Sequence, residues 1–176
     1  KEAAVDVYSS ADEVELFLNG TSLGRKPSGK KHHFTAEYKV PYEGGELCAV
    51  AYRGDRIVGE YRLAAAGEAR ILGAELVTEM ESELSYVKVW LEDEQGVKNP
   101  LEIKKIQAEV TGNGKLEGFG TANPSSEEDY FSDIVTSYEG YAMAAVRRID
   151  LESKKPAYIR FLAEGCKEVE IQIGGN

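Results

Sequence analysis

Apolar and polar residues alternate along most of the chain with a period of two, and little of it carries the 3.6-residue period of a helix. In Val14-Glu15-Leu16-Phe17-Leu18, positions 14, 16 and 18 share an apolar face. Asn19-Gly20 follows, and a second strand-like run covers 21–25. Asn-Gly between two such runs predicts a two-residue hairpin turn, because both central residues of that turn need positive φ. Strands are also predicted over 34–40, closed by Pro41, over 47–52 and over 57–63, with turns at 43–46 and 53–56. Residues 5–8 supply one more.

Ala64-Ala65-Ala66-Gly67-Glu68 interrupts the alternation. Small residues and a glycine between two strand-rich halves suit a short connector, so the expected domains are 1–66, a small β-sandwich, and 67–176. The second half predicts strands over 70–77, 86–91, 106–111, 115–120, 141–149, 157–163 and 169–173. Turn chemistry stands at Asp93-Glu94-Gln95-Gly96 and Thr111-Gly112-Asn113-Gly114. About seven short strands separated by turns predict an immunoglobulin-like β-sandwich. The expected fold class is all-β, with two tandem immunoglobulin-like β-sandwich domains. Residues 121–138 read as one long polar connection, a length uncommon inside a compact domain and often functional.

Composition narrows the partners. The 176 residues carry 31 acidic and 21 basic side chains, a net charge of −10. Most of the excess lies after residue 67, where 21 acids meet 12 bases. That sign argues against a nucleic-acid phosphate backbone and against an anionic membrane surface. No stretch approaches the roughly 20 apolar residues of a membrane span. The opening Lys1-Glu2-Ala3-Ala4-Val5 reads as the start of a piece cut from a longer protein, so it leaves the compartment unknown. Cys48 and Cys166 are too few and too far apart for a disulfide framework or a zinc site, and both are expected to be reduced and buried.

The side chains of catalysis are sparse. His32 and His33 are adjacent, and on a strand they would point to opposite faces, so they form no shared site. Gly112-Asn113-Gly114 and Gly118-Phe119-Gly120 precede no helix that would lend its N–H groups to a phosphate, and read as a turn and close strand packing. Glu127, Glu128, Asp129 and Asp133 crowd the long connection but lack the ordered spacing of a calcium loop, and read as a solvated charged loop. No catalytic residue, cofactor site or metal site is expected. Aromatic rings remain, since their apolar faces stack on sugar rings. Trp90 shares a strand face with Tyr86 and Lys88, and is either exposed or covered by packing. Tyr130 and Phe131 lie in the long connection, as anchors for it or as ligand contacts. Trp90, Tyr130 and Phe131 are the candidate carbohydrate contacts.

The run from Val7-Tyr8-Ser9-Ser10-Ala11-Asp12-Glu13 through Val14-Glu15-Leu16-Phe17-Leu18-Asn19-Gly20 to Thr21-Ser22-Leu23-Gly24-Arg25-Lys26 resembles the small β-domain that follows the catalytic barrel in many bacterial β-galactosidases of glycoside hydrolase family 2. The likeness continues through Val40-Pro41-Tyr42-Glu43-Gly44-Gly45-Glu46-Leu47 and Ala49-Val50-Ala51-Tyr52 to Ala66-Gly67-Glu68. The second half resembles the immunoglobulin-like domain that comes next in those enzymes. It does so through Tyr86-Val87-Lys88-Val89, Gly112-Asn113-Gly114-Lys115-Leu116, Gly118-Phe119-Gly120-Thr121-Ala122-Asn123-Pro124 and Ser137-Tyr138-Glu139-Gly140-Tyr141-Ala142. Where relatives tend to have Gly-Asn-Gly-Asp-Pro this chain has Gly-Thr-Ala-Asn-Pro, so no ligand role is carried over to that loop.

The resemblance implies a non-catalytic fragment of a retaining β-glycosidase, a β-galactosidase by this likeness, whose catalytic glutamates lie on a barrel outside this chain. Its partners would be the catalytic and N-terminal domains of the same polypeptide, without nucleic acid or membrane. A periplasmic or secreted bacterial parent is implied. Three roles follow: a brace for the barrel that also shapes its cleft, a carbohydrate-binding module for oligosaccharide or polysaccharide, and an adhesin-like interaction domain. The density of the first-half likeness opposes the third.

Overall fold

The computed structural model describes residues 2–41, 43–78 and 83–175. Tyr42, inside the resembling run around Pro41, lies outside the described residues. The chain forms two compact units, Lys1–Ala65 and Ala66–Asn176. Both are built of strands, and the described residues contain one 3-10 turn, Lys30–His32.

The first unit contains β1 (Glu2–Tyr8), β2 (Glu13–Leu18), β3 (Thr21–Pro27), β4 (Thr35–Pro41), β5 (Glu46–Arg53) and β6 (Arg56–Ala64). Asn19 and Gly20 have φ of 51° and 76°, the left-handed geometry the hairpin turn requires. The Asn19 side chain also accepts a 2.8 Å hydrogen bond from the Glu46 N–H, so one residue fixes this turn and the start of β5. A four-stranded sheet, β3-β2-β5-β6, packs on the two-stranded sheet β1-β4. In immunoglobulin terms these are the C′-C-F-G sheet and the B-E pair.

Val14 and Leu16 of β2 meet Ala36, Tyr38 and Val40 of β4 in the core, with Val5 and Val7 of β1 against them. Each fully buried aliphatic side chain contributes about 1.5–3 kcal/mol. Tyr38 keeps its hydroxyl bonded by donating to the Val14 carbonyl at 2.6 Å. Burial pushes its phenol pKa up.

The small sheet does not reach β6. Tyr61 stands opposite Ala49 and Leu63 opposite Leu47, on the core-facing side, yet they are 67% and 55% exposed. A groove of about 240 Å³ runs here, lined by Ala3 and Val5 of β1, Leu47 and Leu63. The pairing of β5 with β6 slips at Ala51/Tyr52, leaving Val58 as a bulge residue. On the other face Arg62 forms ion pairs with Glu46 and Glu60, both at 2.6 Å, on the side where Cys48 is buried. His32 ends the 3-10 turn and His33 follows at φ 52°, so they are not on a strand; both are exposed.

The second unit contains β7 (Ile71–Thr78), β8 (Leu84–Glu92), β9 (Lys105–Gly112), β10 (Gly114–Gly120), β11 (Ile134–Thr136), β12 (Tyr141–Arg148), β13 (Ala157–Ala163) and β14 (Val169–Ile173). Its sheets are β10-β12-β8-β7 and β11-β9-β13-β14. Without β11 this is the ABED and CFG order of a constant-type immunoglobulin domain. β11 is an extra short strand on the free side of β9, inside the segment whose sequence reads as uninterrupted loop. Three residues are too few for alternation to show, and only Val135 of the three is buried.

The core takes Val87, Val89 and Leu91 of β8 and Ala142, Ala144 and Val146 of β12 from one sheet. It takes Ile106, Ala108, Ile159 and Phe161 from the other. Phe119 and Phe161 meet across the layers, ring centroids 5.7 Å apart. The Asp93 carboxylate, at the predicted turn after β8, accepts the Gly67 N–H at 2.9 Å and those of Gln95 and Val97. The Gly67 N–H, foremost among these donors, holds its pKa below the usual carboxylate range. Cys166 is half-buried rather than buried, its thiol against the Ala69 carbonyl, because it sits in the turn after β13 and not in the core.

Candidate functional site

The outward face of β10-β12-β8-β7 carries a groove of about 610 Å³, within the usual range for small-molecule sites. Strand register explains how it forms. Tyr86, Ala145 and Gly118 lie in one row across β8, β12 and β10, and Lys88, Met143 and Gly120 in the next. The odd residues of β8 enter the core, which sends Tyr86, Lys88 and Trp90 outward. Gly118 and Gly120 put no side chain on β10, so the floor is low.

Tyr130 forms the far wall. Its carbonyl accepts the Phe119 N–H at 2.7 Å, beside β10, and its ring lies where a Cβ on Gly120 would stand. The Tyr130 ring over β10 and Tyr86 on β8 are thus separated by about two strand spacings, roughly 10 Å. Tyr138 and Tyr141 line the groove where the tight turn enters β12; their N–H and carbonyl groups bond reciprocally at 3.0 and 2.9 Å. Glu139 and Gly140 at that turn have φ of 49° and 76°.

The charges in the groove are few and mostly engaged. Lys88 lies over the Tyr141 ring at 4.9 Å and 3.9 Å from Glu75, and Glu139 supplies one carboxylate. Among the described residues, the hydroxyls of Tyr86, Tyr130, Tyr138 and Tyr141 have no protein hydrogen-bond partner. In the first unit, by contrast, Tyr38 and Tyr52 donate to Val14 and Glu15. None of the four groove rings pairs with another aromatic ring, the Phe119–Phe161 contact being the one ring pair among the described residues.

The three candidate residues from the sequence fall in different settings. Trp90 is 9% exposed: Lys98 lies 4.0 Å over its ring, its indole N–H donates to Glu92, and Gly73 leaves room for the ring. Of the two settings the sequence leaves open for it, exposed or covered, the covered one is found. Tyr130 lines the groove. Phe131 is 83% exposed and does not line it. Tyr86, Tyr138 and Tyr141 were not singled out as contacts. A pair of glycines two apart on a strand, leaving one face bare, is the sequence signal that points to them.

Three of the four acidic residues of the connection, Glu128, Asp129 and Asp133, serve local structure. Glu128 accepts the Thr136 hydroxyl at 2.7 Å and the Thr136 N–H, and the hydroxyl bond foremost lowers its pKa. Asp129 accepts the Phe131 N–H, and Asp133 accepts from Gln107. Among the described residues no three His, Cys, Asp or Glu side chains are grouped to hold a metal. Among the described residues no helix is long and apolar enough to cross a membrane.

Comparison with known proteins follows the two halves. Residues 1–59 match a family described as a domain of unknown function (DUF4982). Residues 73–172 match the glycoside hydrolase family 2 C-terminal domain 5. A β-galactosidase of Bacteroides ovatus is 28% identical over 173 residues, 96% of this chain and 20% of its own length. A solved family 2 glycosyl hydrolase of Bacteroides cellulosilyticus superposes with a TM-score of 0.85 at 29% identity, over 98% of this chain and 24% of its own. A solved β-glucuronidase of family 2 shares the fold, with a TM-score of 0.76 at 18% identity over 100% of this chain and 19% of its own. The chain thus spans about a fifth to a quarter of these three relatives. With one family model covering more than half of its residues, the protein belongs to the C-terminal domain 5 family of glycoside hydrolase family 2.

Proposed function

We propose that this chain is the pair of post-catalytic β-sandwich domains, 1–66 and 67–176, of a β-galactosidase, and that it braces the catalytic barrel and shapes the rim of its cleft. The observation that carries this reading is the bare flank of the first unit. A four-stranded sheet is faced by only two strands, and Tyr61 and Leu63 stand exposed on its core-facing side. An apolar surface left open this way is characteristic of a docking face. The galactosidase reading is supported by the Bacteroides ovatus relative, which matches along nearly the whole chain, and it competes with a putative β-glucuronidase of Formosa agariphila that is 32% identical over 124 residues. The catalytic glutamates lie outside this chain.

The test is made in the parent enzyme. Tyr61→Glu combined with Leu63→Glu removes about 3–5 kcal/mol of buried apolar contact and is expected to lower the thermal midpoint and the turnover of an aryl β-galactoside together. Unchanged stability and turnover overturn the brace. Preferential hydrolysis of an aryl β-glucuronide overturns the galactosidase assignment.

A further inference from the structure

We infer that the groove between Tyr86 and Tyr130 binds a neutral oligosaccharide, a role separate from the bracing flank of the first unit. Pyranose rings present apolar C–H faces and a rim of hydroxyls. The groove offers the matching surfaces: among the described residues the rings of Tyr86, Tyr130 and Tyr138 have no ring or cation partner, Tyr141 is faced by Lys88 and Lys98, and all four hydroxyls lack a protein partner. Tyrosine combines a rigid apolar face with a polar tip, so it serves both needs with little side-chain entropy to lose.

The floor of Gly118 and Ala145 lets a ring descend between the walls, while Gly120 makes room for the Tyr130 ring itself. With the Tyr130 ring over β10, the walls stand two strand spacings apart, roughly 10 Å, which admits one sugar ring across the groove and further units along it. Charge sets the class. Lys88 is already engaged with Glu75 and the Tyr141 ring, and Glu139 adds a negative charge to a protein of net charge −10. A uronic acid chain therefore meets Lys88 only in competition with Glu75 at 3.9 Å and the Tyr141 ring, and repulsion from the protein as a whole. Trp90 takes no part, because Lys98 covers it.

The experiment is affinity electrophoresis of the 176-residue chain through gels containing soluble galactan, xyloglucan or, as the anionic comparison, polygalacturonate. Retardation by at least one neutral polymer is expected. Tyr86→Ala and Tyr130→Ala are each expected to weaken it about tenfold, whereas Phe131→Ala leaves it unchanged. Gly118→Leu provides a second route to the same answer. Its Cβ meets nothing closer than the Tyr130 carbonyl at 3.6 Å, so the fold accommodates it while the floor fills. It too is expected to abolish retardation, with an unaltered thermal midpoint. No retardation by any neutral polymer, stronger retardation by polygalacturonate, or retardation that survives both Tyr86→Ala and Gly118→Leu overturns the inference.

Discussion

Phe161→Ala tests whether the two cores are energetically separate. Phe161 is fully buried at the middle of β13, and its ring meets Phe119 from the opposite sheet at 5.7 Å. Truncation removes the ring's transfer free energy and leaves a cavity that β-sheet neighbours cannot collapse into, a loss of roughly 3–5 kcal/mol. The second unit has about 110 residues, which gives an unfolding entropy of roughly 230 cal/mol/K and a fall in its midpoint of roughly 13–22 °C. The cores of the two units share no residue. Differential scanning calorimetry should therefore show one transition moving and the other staying. Leu16→Ala, in the core of the first unit, should move the other one by the same logic. Equal displacement of both transitions by Phe161→Ala, or a shift under about 3 °C, would refute the reasoning.

Asn113→Ala breaks the bonds joining the β9–β10 turn to Asp150, at 2.7 and 2.9 Å, and should cost about 1–3 kcal/mol by urea denaturation. Gly112→Ala should be at least as damaging, since φ is +73° and its Cβ would lie 2.5 Å from the Pro156 carbonyl oxygen. Acid should destabilise the second unit. Asp93, Glu102 and Glu128 all have folded pKa values held below the ordinary range of about 4, so their stabilisation is complete above that range and lost as pH falls through the folded values. A midpoint level from neutrality to about pH 5 and falling below about pH 4 is expected by calorimetry, with Asp93→Asn flattening the fall. Lys98→Ala uncovers Trp90, the single tryptophan, and should red-shift its emission and increase acrylamide quenching.

The strands were legible because alternation reports directly which face is buried. Val87, Val89 and Leu91 announce the core side of β8, and Asn19-Gly20 announces its hairpin. β11 was not, since three residues cannot show a period, and its burial comes from pairing with β9. The candidate site was only half legible. Alternation places Tyr86 and Trp90 on one face, but exposure depends on what lies above each ring. Lys98 arrives over Trp90 from eight residues along the chain, whereas Tyr86 stays 40% exposed. Tyr130 reaches the groove through a backbone bond to Phe119 that no local pattern encodes.

The bulge in β6 limits how the first unit can be covered. An edge strand offers its unpaired N–H and carbonyl groups to any passing strand. Here Val58 breaks the repeat of those groups, and Arg56, Glu60 and Arg62 place charges along the same strand. Addition of a further strand to this edge is disfavoured, whereas a surface laid across Tyr61 and Leu63 meets no such obstacle. The chain can thus present a sticky face while resisting the open-ended strand pairing that leads to fibrils, which a domain needs if it folds before its partner reaches it.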